Sequence, residues 1–283
     1  MKYGFVIPGG DVLTIVQLAA EAEAAGWDGV FVPDCICIDP ALAPDAPGFD
    51  PWVLMGAIAM RTKKVRIGAI ITPLSRRRPW KVARETATLD RLSNGRLVLP
   101  VGLGALDDLG FGGVGEATDR KVRAELLDES LEIITGLWSG EPFSYSGKHY
   151  RVSNLTFLPR PVQLPRIPIW VVGAWPRAKS MNRALKYDGL LPNVLAEDGS
   201  PAPVTPEAIR AMRDYAGEHR SQPWPFDIIA EGKTPGDDRQ RAADIVGPYA
   251  EAGATWWMEA IWDAPPGSNL VRDRINQGPP TLV

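Results

Sequence analysis

A single (β/α)8 barrel is the fold class this sequence predicts, and three observations predict it. Short apolar, strand-like runs alternate with segments of helical period along the whole chain, and eight such pairs can be counted. Strands that are apolar on both faces imply parallel pairing beneath a cover of helices. The 283 residues suit one barrel, and no shift in composition marks a second domain, so residues 1–283 are read as one unit. The rival architecture, a doubly wound open sheet, usually stops at roughly five to seven strands.

The elements follow in order. Residues 3–7 (YGFVI) form an apolar run ended by Pro8 and two glycines, which reads as a buried strand. Residues 12–25 are rich in Ala and Glu, with Leu13, Val16, Leu18 and Ala22 on one side and Gly26 as the stop. Residues 29–32 (GVFV) supply strand two; a loop with Pro40, Pro44, Pro47 and Pro51 then leads to a helix over residues 52–60. Residues 65–71 (VRIGAII) are strand three, followed by the basic loop SRRRP and a helix over residues 80–92 that Ser93, Asn94 and Gly95 end. Strand four is read over residues 96–104, and a long helix over residues 120–138. Residues 142–158 alternate apolar and polar around Gly147, which predicts a β-hairpin inserted after the fourth helix. Residues 167–173 (IPIWVVG), 189–192, 226–230 (FDIIA) and 255–261 (TWWMEAI) give strands five to eight. Their helices are read over residues 177–187, 206–219, 239–252 and 269–275. The stretch over residues 191–221 is the weakest, because its barrel loop looks short and Pro-rich.

Composition narrows the function. With 31 basic and 34 acidic side chains the net charge is −3, which argues against nucleic acid or an anionic membrane as a partner. Cys35 and Cys37 are too few and too close for a disulfide framework, and neither His149 nor His219 sits in a zinc-type cluster, so no metal is expected. The opening MKYGFVIPGG is too short in its apolar run for a signal peptide, and no run of 18 apolar residues occurs. A soluble cytoplasmic protein is the expectation.

Barrel active sites lie at the carboxyl ends of the strands. That rule selects Pro8 and the glycines up to Asp11, Asp34 with Cys35, Thr72 through Arg78, Gly102 through Ala105, Gly173 with Trp175, Asn193, Glu231, and Glu259 through Trp262. The set holds no histidine, no paired carboxylates and no zinc-type cluster, while glycine and tryptophan recur. Such a site fits a bound cofactor that carries the chemistry itself. Gly102, Gly104 and Gly173 would let a flat ring or a phosphate approach the backbone, although turn glycines are common enough to explain each singly. The three arginines at residues 76–78 could clamp an anion, or pair with nearby acids. Neighbours on a strand face opposite ways, so one of Trp256 and Trp257 must point outward.

The stretch VRIGAIITPLSRRRPWKVARETATLDRLSNGRLVLPVGLG resembles the bacterial-luciferase-like flavin monooxygenase superfamily, where a strand leads to a helix, then ATLD-x-LS-x-GR, then Gly-x-Gly. AAEAEAAGWDGVFVPD, ELLDESLEIITGLWSGEPFSYSGKHYRV and PRPVQLPRIPIWVVGAWPRAKSMNRALKYDGLLP are similar to further units of that superfamily, in the same order. The resemblance implies a luciferase-like TIM barrel, reduced FMN or coenzyme F420, and either oxygen insertion or hydride transfer on a small organic substrate. It would lay the cofactor ring near Thr72, Gly102, Leu103 and Gly104, with a strained or cis peptide around Ile71. The phosphate would meet Gly173, Trp175, Lys179 and Ser180. Asp34, Cys35, Arg77 and Glu259 are candidates for substrate or anion contact. The resemblance also suggests a homodimer and leaves room for a separate flavin reductase. One departure is chemical: many relatives read Asp-His where this chain has Asp34-Cys35. Alcohol and sugar-phosphate oxidisers use that histidine for proton transfer, so those activities are not expected. The competing reading is a flavin-binding protein that kept the fold without turnover.

Overall fold

A computed structural model describes residues 1–38, 48–105, 108–265 and 269–281. Pro40, Pro44 and Pro47 of the second loop lie outside the described residues. Along the chain run β1 (Lys2–Val6), α1 (Val12–Ala24), β2 (Gly29–Pro33), α2 (Pro51–Arg61), β3 (Arg66–Ile70), β4 (Thr72–Pro73), α3 (Pro79–Leu92) and β5 (Leu99–Gly102). Then come α4 (Arg120–Trp138), β6 (Phe143–Ser146), β7 (Arg151–Leu155), β8 (Ile169–Trp175), α5 (Ala178–Ala184), β9 (Gly189–Leu195) and β10 (Pro201–Ala202). The chain closes with α6 (Pro206–His219), β11 (Asp227–Gly232), α7 (Arg239–Ala252), β12 (Trp256–Ala260) and α8 (Leu270–Asn276).

The parallel sheet runs in the order β3-β2-β1-β12-β11-β9-β8-β5-β4. β3 and β4 are two halves of one barrel strand, parted at the cis peptide between Ile70 and Ile71. The Ile67 amide donates to the Arg96 carbonyl at 3.0 Å, and the Val98 amide donates to the Ile67 carbonyl at 2.9 Å, which joins the first half to the chain entering β5. The ring therefore closes on eight staves, and the (β/α)8 expectation is met, including the β6–β7 hairpin after α4. The thin stretch over residues 191–221 is where the reading falls short. β9 runs to Leu195, and β10 folds back on it antiparallel around Gly199.

Local chemistry sets the helix starts. Asp11, Asp50, Asp119, Thr205 and Asp238 each accept a hydrogen bond from a backbone N–H of the first turn they cap. The stripe that α1 buries is Ile15, Leu18, Ala19 and Ala22, while Leu13 is 80% exposed, so the predicted face was rotated. Trp256 points into the lumen and Trp257 outward against Tyr249 of α7, with ring centroids 5.4 Å apart. No helix among the described residues is long and apolar enough to cross a membrane.

Candidate functional site

Alternation along each strand decides what the mouth can contain. Val6, Phe31, Val98, Trp170, Ile229, Trp256 and Met258 form a buried cluster inside the barrel, with Phe31 and Trp170 stacked at 5.6 Å. These large rings close the lumen from below. Further along the same faces, at even spacings from these residues or from Leu191 of β9, stand Pro8, Gly102, Val172, Asn193, Glu231 and Ala260. The wall is largely apolar, with Asn193 and Glu231 as its polar members.

On the β4–β5 side, Thr72 is fully buried, and its Oγ1 meets no hydrogen-bond partner among the described residues. The buried hydroxyl of Ser75 is in the same state. Orphaned buried hydroxyls are uncommon in folded proteins and call for a partner. Thr72 pairs in register with Val101, one residue before Gly102. A Cβ on Gly102 would run into Ile71 and would stand 2.9 Å from Val172, so its missing side chain makes room for those two neighbours at the end of β5. Leu103 is half-buried, and its carbonyl accepts from the Arg123 guanidinium. Gly104 corrects the expectation. At φ +86°, a Cβ there would meet Phe111 at 2.7 Å and Arg123 at 2.9 Å, so its missing side chain makes room for the following loop rather than for a ring.

The arginine loop is committed elsewhere than expected. Arg77 Nη2 lies 2.9 Å from both carboxylate oxygens of Asp34, and Arg76 pairs with Asp34 and with Asp108. Arg76, Asp34 and Asp108 have side chains almost wholly buried. Burial lifts the Asp34 pKa, against the pull of Arg77 and Arg76. Burial also works to raise that of Asp108, but Arg76 and the amides of Cys37 and Gly110 overcome it and leave the carboxyl below its usual value. Asp108 further accepts from the Ile36 amide at 3.2 Å, so the cluster latches the loop after β2 to the loop after β5. Arg77 is thus an internal ion-pair partner of Asp34, not a free anion clamp. Cys35, half-buried, follows Asp34 in this latch.

Across the mouth, other candidates face away. A Cβ on Gly173 would meet Leu190 and would stand 2.9 Å from the Met181 sulfur, which places that face under α5. Trp175 packs edge-on against Tyr215 of α6 at 5.6 Å. Lys179 is exposed, and Ser180 Oγ accepts from the Ala174 amide at 2.9 Å, tying α5 to the end of β8. Glu259 is fully buried on the outer face of β12. It accepts from Thr234 N at 2.6 Å, Thr234 Oγ1 at 2.8 Å and Trp257 Nε1 at 3.0 Å, with Arg274 Nε of α8 at 3.3 Å. Residue 259 alternates with the inward Met258 and Ala260, so Glu259 is a fastener for α8 and not a substrate contact. Glu231 lies on the inward face, exposed, and accepts from Trp262 Nε1 at 2.8 Å. Burial by the surrounding wall raises its pKa, with the Trp262 bond opposing. Asp108 and Arg123 were missed in the sequence, where nothing local links them to Asp34 or Leu103. Among the described residues no trio of His, Cys, Asp or Glu could hold a metal ion.

Residues 6–265 match the luciferase-like monooxygenase family. An F420-dependent glucose-6-phosphate dehydrogenase of Nakamurella multipartita is 31% identical over 231 residues, 81% of this chain and 65% of that protein, so the chain spans less than two thirds of that relative's length. An F420-dependent secondary alcohol dehydrogenase, solved with an F420–acetone adduct, superposes with a TM-score of 0.75 at 19% identity, over 97% of this chain and 96% of its own. The FMN-bound oxygenating constituent of 3,6-diketocamphane monooxygenase from the CAM plasmid of Pseudomonas putida gives a TM-score of 0.63 at 19% identity, over 87% of this chain and 71% of its own.

Proposed function

From the premise that this chain belongs to the luciferase-like monooxygenase family, we propose that it is an F420-dependent oxidoreductase acting on a small organic substrate at the barrel mouth. The observation that carries the reading is the family match over residues 6–265, set on a barrel whose mouth is largely apolar above an aromatic floor. A planar ring suits such a mouth. F420 is favoured because the Nakamurella relative, at 31% identity, is F420-dependent. FMN with oxygen insertion is the second reading, favoured by the family's description as monooxygenases.

Two-electron transfer is the chemistry such a cofactor supplies when bound. The chain's own residues do the rest. Thr72, Gly102 and Leu103, at the ends of β4 and β5, are the residues that would lie nearest the ring, and the Phe31–Trp170 stack closes the lumen beneath it. Asp34, held by two guanidiniums, is occupied as a structural acceptor and moves no proton. Cys35, half-buried beside Asp34, is read as a small lining residue to which no proton transfer is assigned. Lys179 and the start of α5 serve the phosphate end. The chain acts as one domain, in the cytoplasm and as a homodimer; a separate flavin reductase is required only under the FMN reading.

The test is to incubate the purified protein with F420, and separately with reduced FMN, across a substrate panel with and without oxygen. Substrate-dependent change of F420 absorbance that is indifferent to oxygen supports the leading reading. Oxygen consumption coupled to a substrate with FMN supports the second. No substrate dependence with either cofactor would support a binding protein without turnover.

A further inference from the structure

The mouth carries one carboxylate to which the function proposed above assigns no task. Glu231 extends from the end of β11 on the same face as Ile229, which packs in the lumen cluster. Met258 of β12 pairs with it in register, and Asn193 of β9 is the other polar side chain on that part of the wall. The Trp262 indole donates to Oε1 at 2.8 Å and is itself 49% exposed, so ring surface remains open beside the carboxylate. Among the described residues no cationic side chain pairs with Glu231. Lys233, two residues on, is held by Asp263, and the arginines at the opposite side of the mouth are held by Asp34 and Asp108. The carboxylate reaches solvent at the mouth with no counter-charge among the described residues, so it is open to a cation that arrives there. An indole next to it adds the electron-rich face that attracts ammonium groups.

We propose that Glu231 and Trp262 receive the ammonium head of an amine-bearing substrate, which makes a small organic amine the substrate class of this mouth. This rests on the reading of the mouth as the cofactor and substrate site. A charge-assisted hydrogen bond outweighs a neutral one by about 1.4 kcal/mol, or roughly tenfold in affinity, and a like-charged head is repelled.

Three probes that share one ring isolate the head group: cyclohexylamine, cyclohexanol and cyclohexanecarboxylate, titrated calorimetrically into the F420-loaded protein near neutral pH. The amine is expected to bind about tenfold more tightly than the alcohol, with the carboxylate weakest. Glu231→Gln, which keeps the volume and an acceptor for Trp262, should cost the amine about tenfold and leave the alcohol within about threefold. A melting curve of the variant confirms its fold. Alcohol and amine binding equally, an order that survives Glu231→Gln, or no binding of any probe in the millimolar range would each overturn the proposal. The same titrations without F420 separate the two readings. Loss of cofactor binding with the amine preference intact strikes the oxidoreductase and leaves the amine site supported.

Discussion

Arg76 sits between Asp34 and Asp108 with its side chain 2% exposed, so its removal leaves two buried carboxylates short of charge. Arg76→Ala should lower the free energy of unfolding by about 3 kcal/mol, read from the urea midpoint; a shift below about 1 kcal/mol would mean that the latch is a surface ion pair. Glu231 behaves in the opposite sense. Its folded pKa is raised above the unfolded value near 4.5, so the stability tied to its bound proton is complete below that pH and lost as pH rises through the folded value. Glu231→Gln should therefore raise the melting temperature relative to the parent near neutral pH and bring little gain near pH 4; equal gains at both would contradict the assignment. Cys35→Ser should keep activity within a fewfold of the parent, because no proton is assigned to that thiol. A hundredfold loss with cofactor still bound would make Cys35 catalytic. The strand ends were legible from the apolar runs, and Glu231 and Gly102 stand at the ends of β11 and β5 as read. The arginine latch was not, because Asp108 lies 32 residues from Arg76 in the chain and no local pattern joins them.

At the scale of elements, one carboxylate holds the inserted hairpin. Glu129 of α4 accepts from the amides of Lys148, His149 and Tyr150 at 2.8 to 3.1 Å, all in the turn between β6 and β7. Glu129→Ala frees three donors and should destabilise the fold by about 2–3 kcal/mol, with faster amide exchange confined to residues 143–155. Uniform exchange across the barrel would show instead that the hairpin and barrel unfold as one unit. The strands and helices were readable because period and punctuation agree: apolar runs end at glycine or proline, and helical segments stop at residues such as Gly26 and Ser93 to Gly95. Faces were harder. α1 is rich in alanine around its circumference, so the side that meets the sheet is chosen by packing, which buries Ile15 and leaves Leu13 in solvent. Glu259 looked like a mouth residue by position, but strand parity turns it outward to Arg274.

The whole molecule is a barrel closed at the bottom by aromatic rings, with a largely apolar mouth at the carboxyl ends of its strands. Eight staves and the break at Ile70–Ile71 give the mouth its shape. The flavin or deazaflavin ring is the group that this mouth is argued to hold, and Gly102, at the end of β5, is the position proposed to lie beside it. The direct measurement is a spectroscopic titration of the parent and of Gly102→Val with F420 and with FMN, alongside their melting temperatures. The account expects saturable F420 binding by the parent in the micromolar range, weakened at least about tenfold in Gly102→Val while the variant still melts cooperatively. Equal affinity in parent and variant, or no saturable binding of either cofactor by a folded parent, would contradict it.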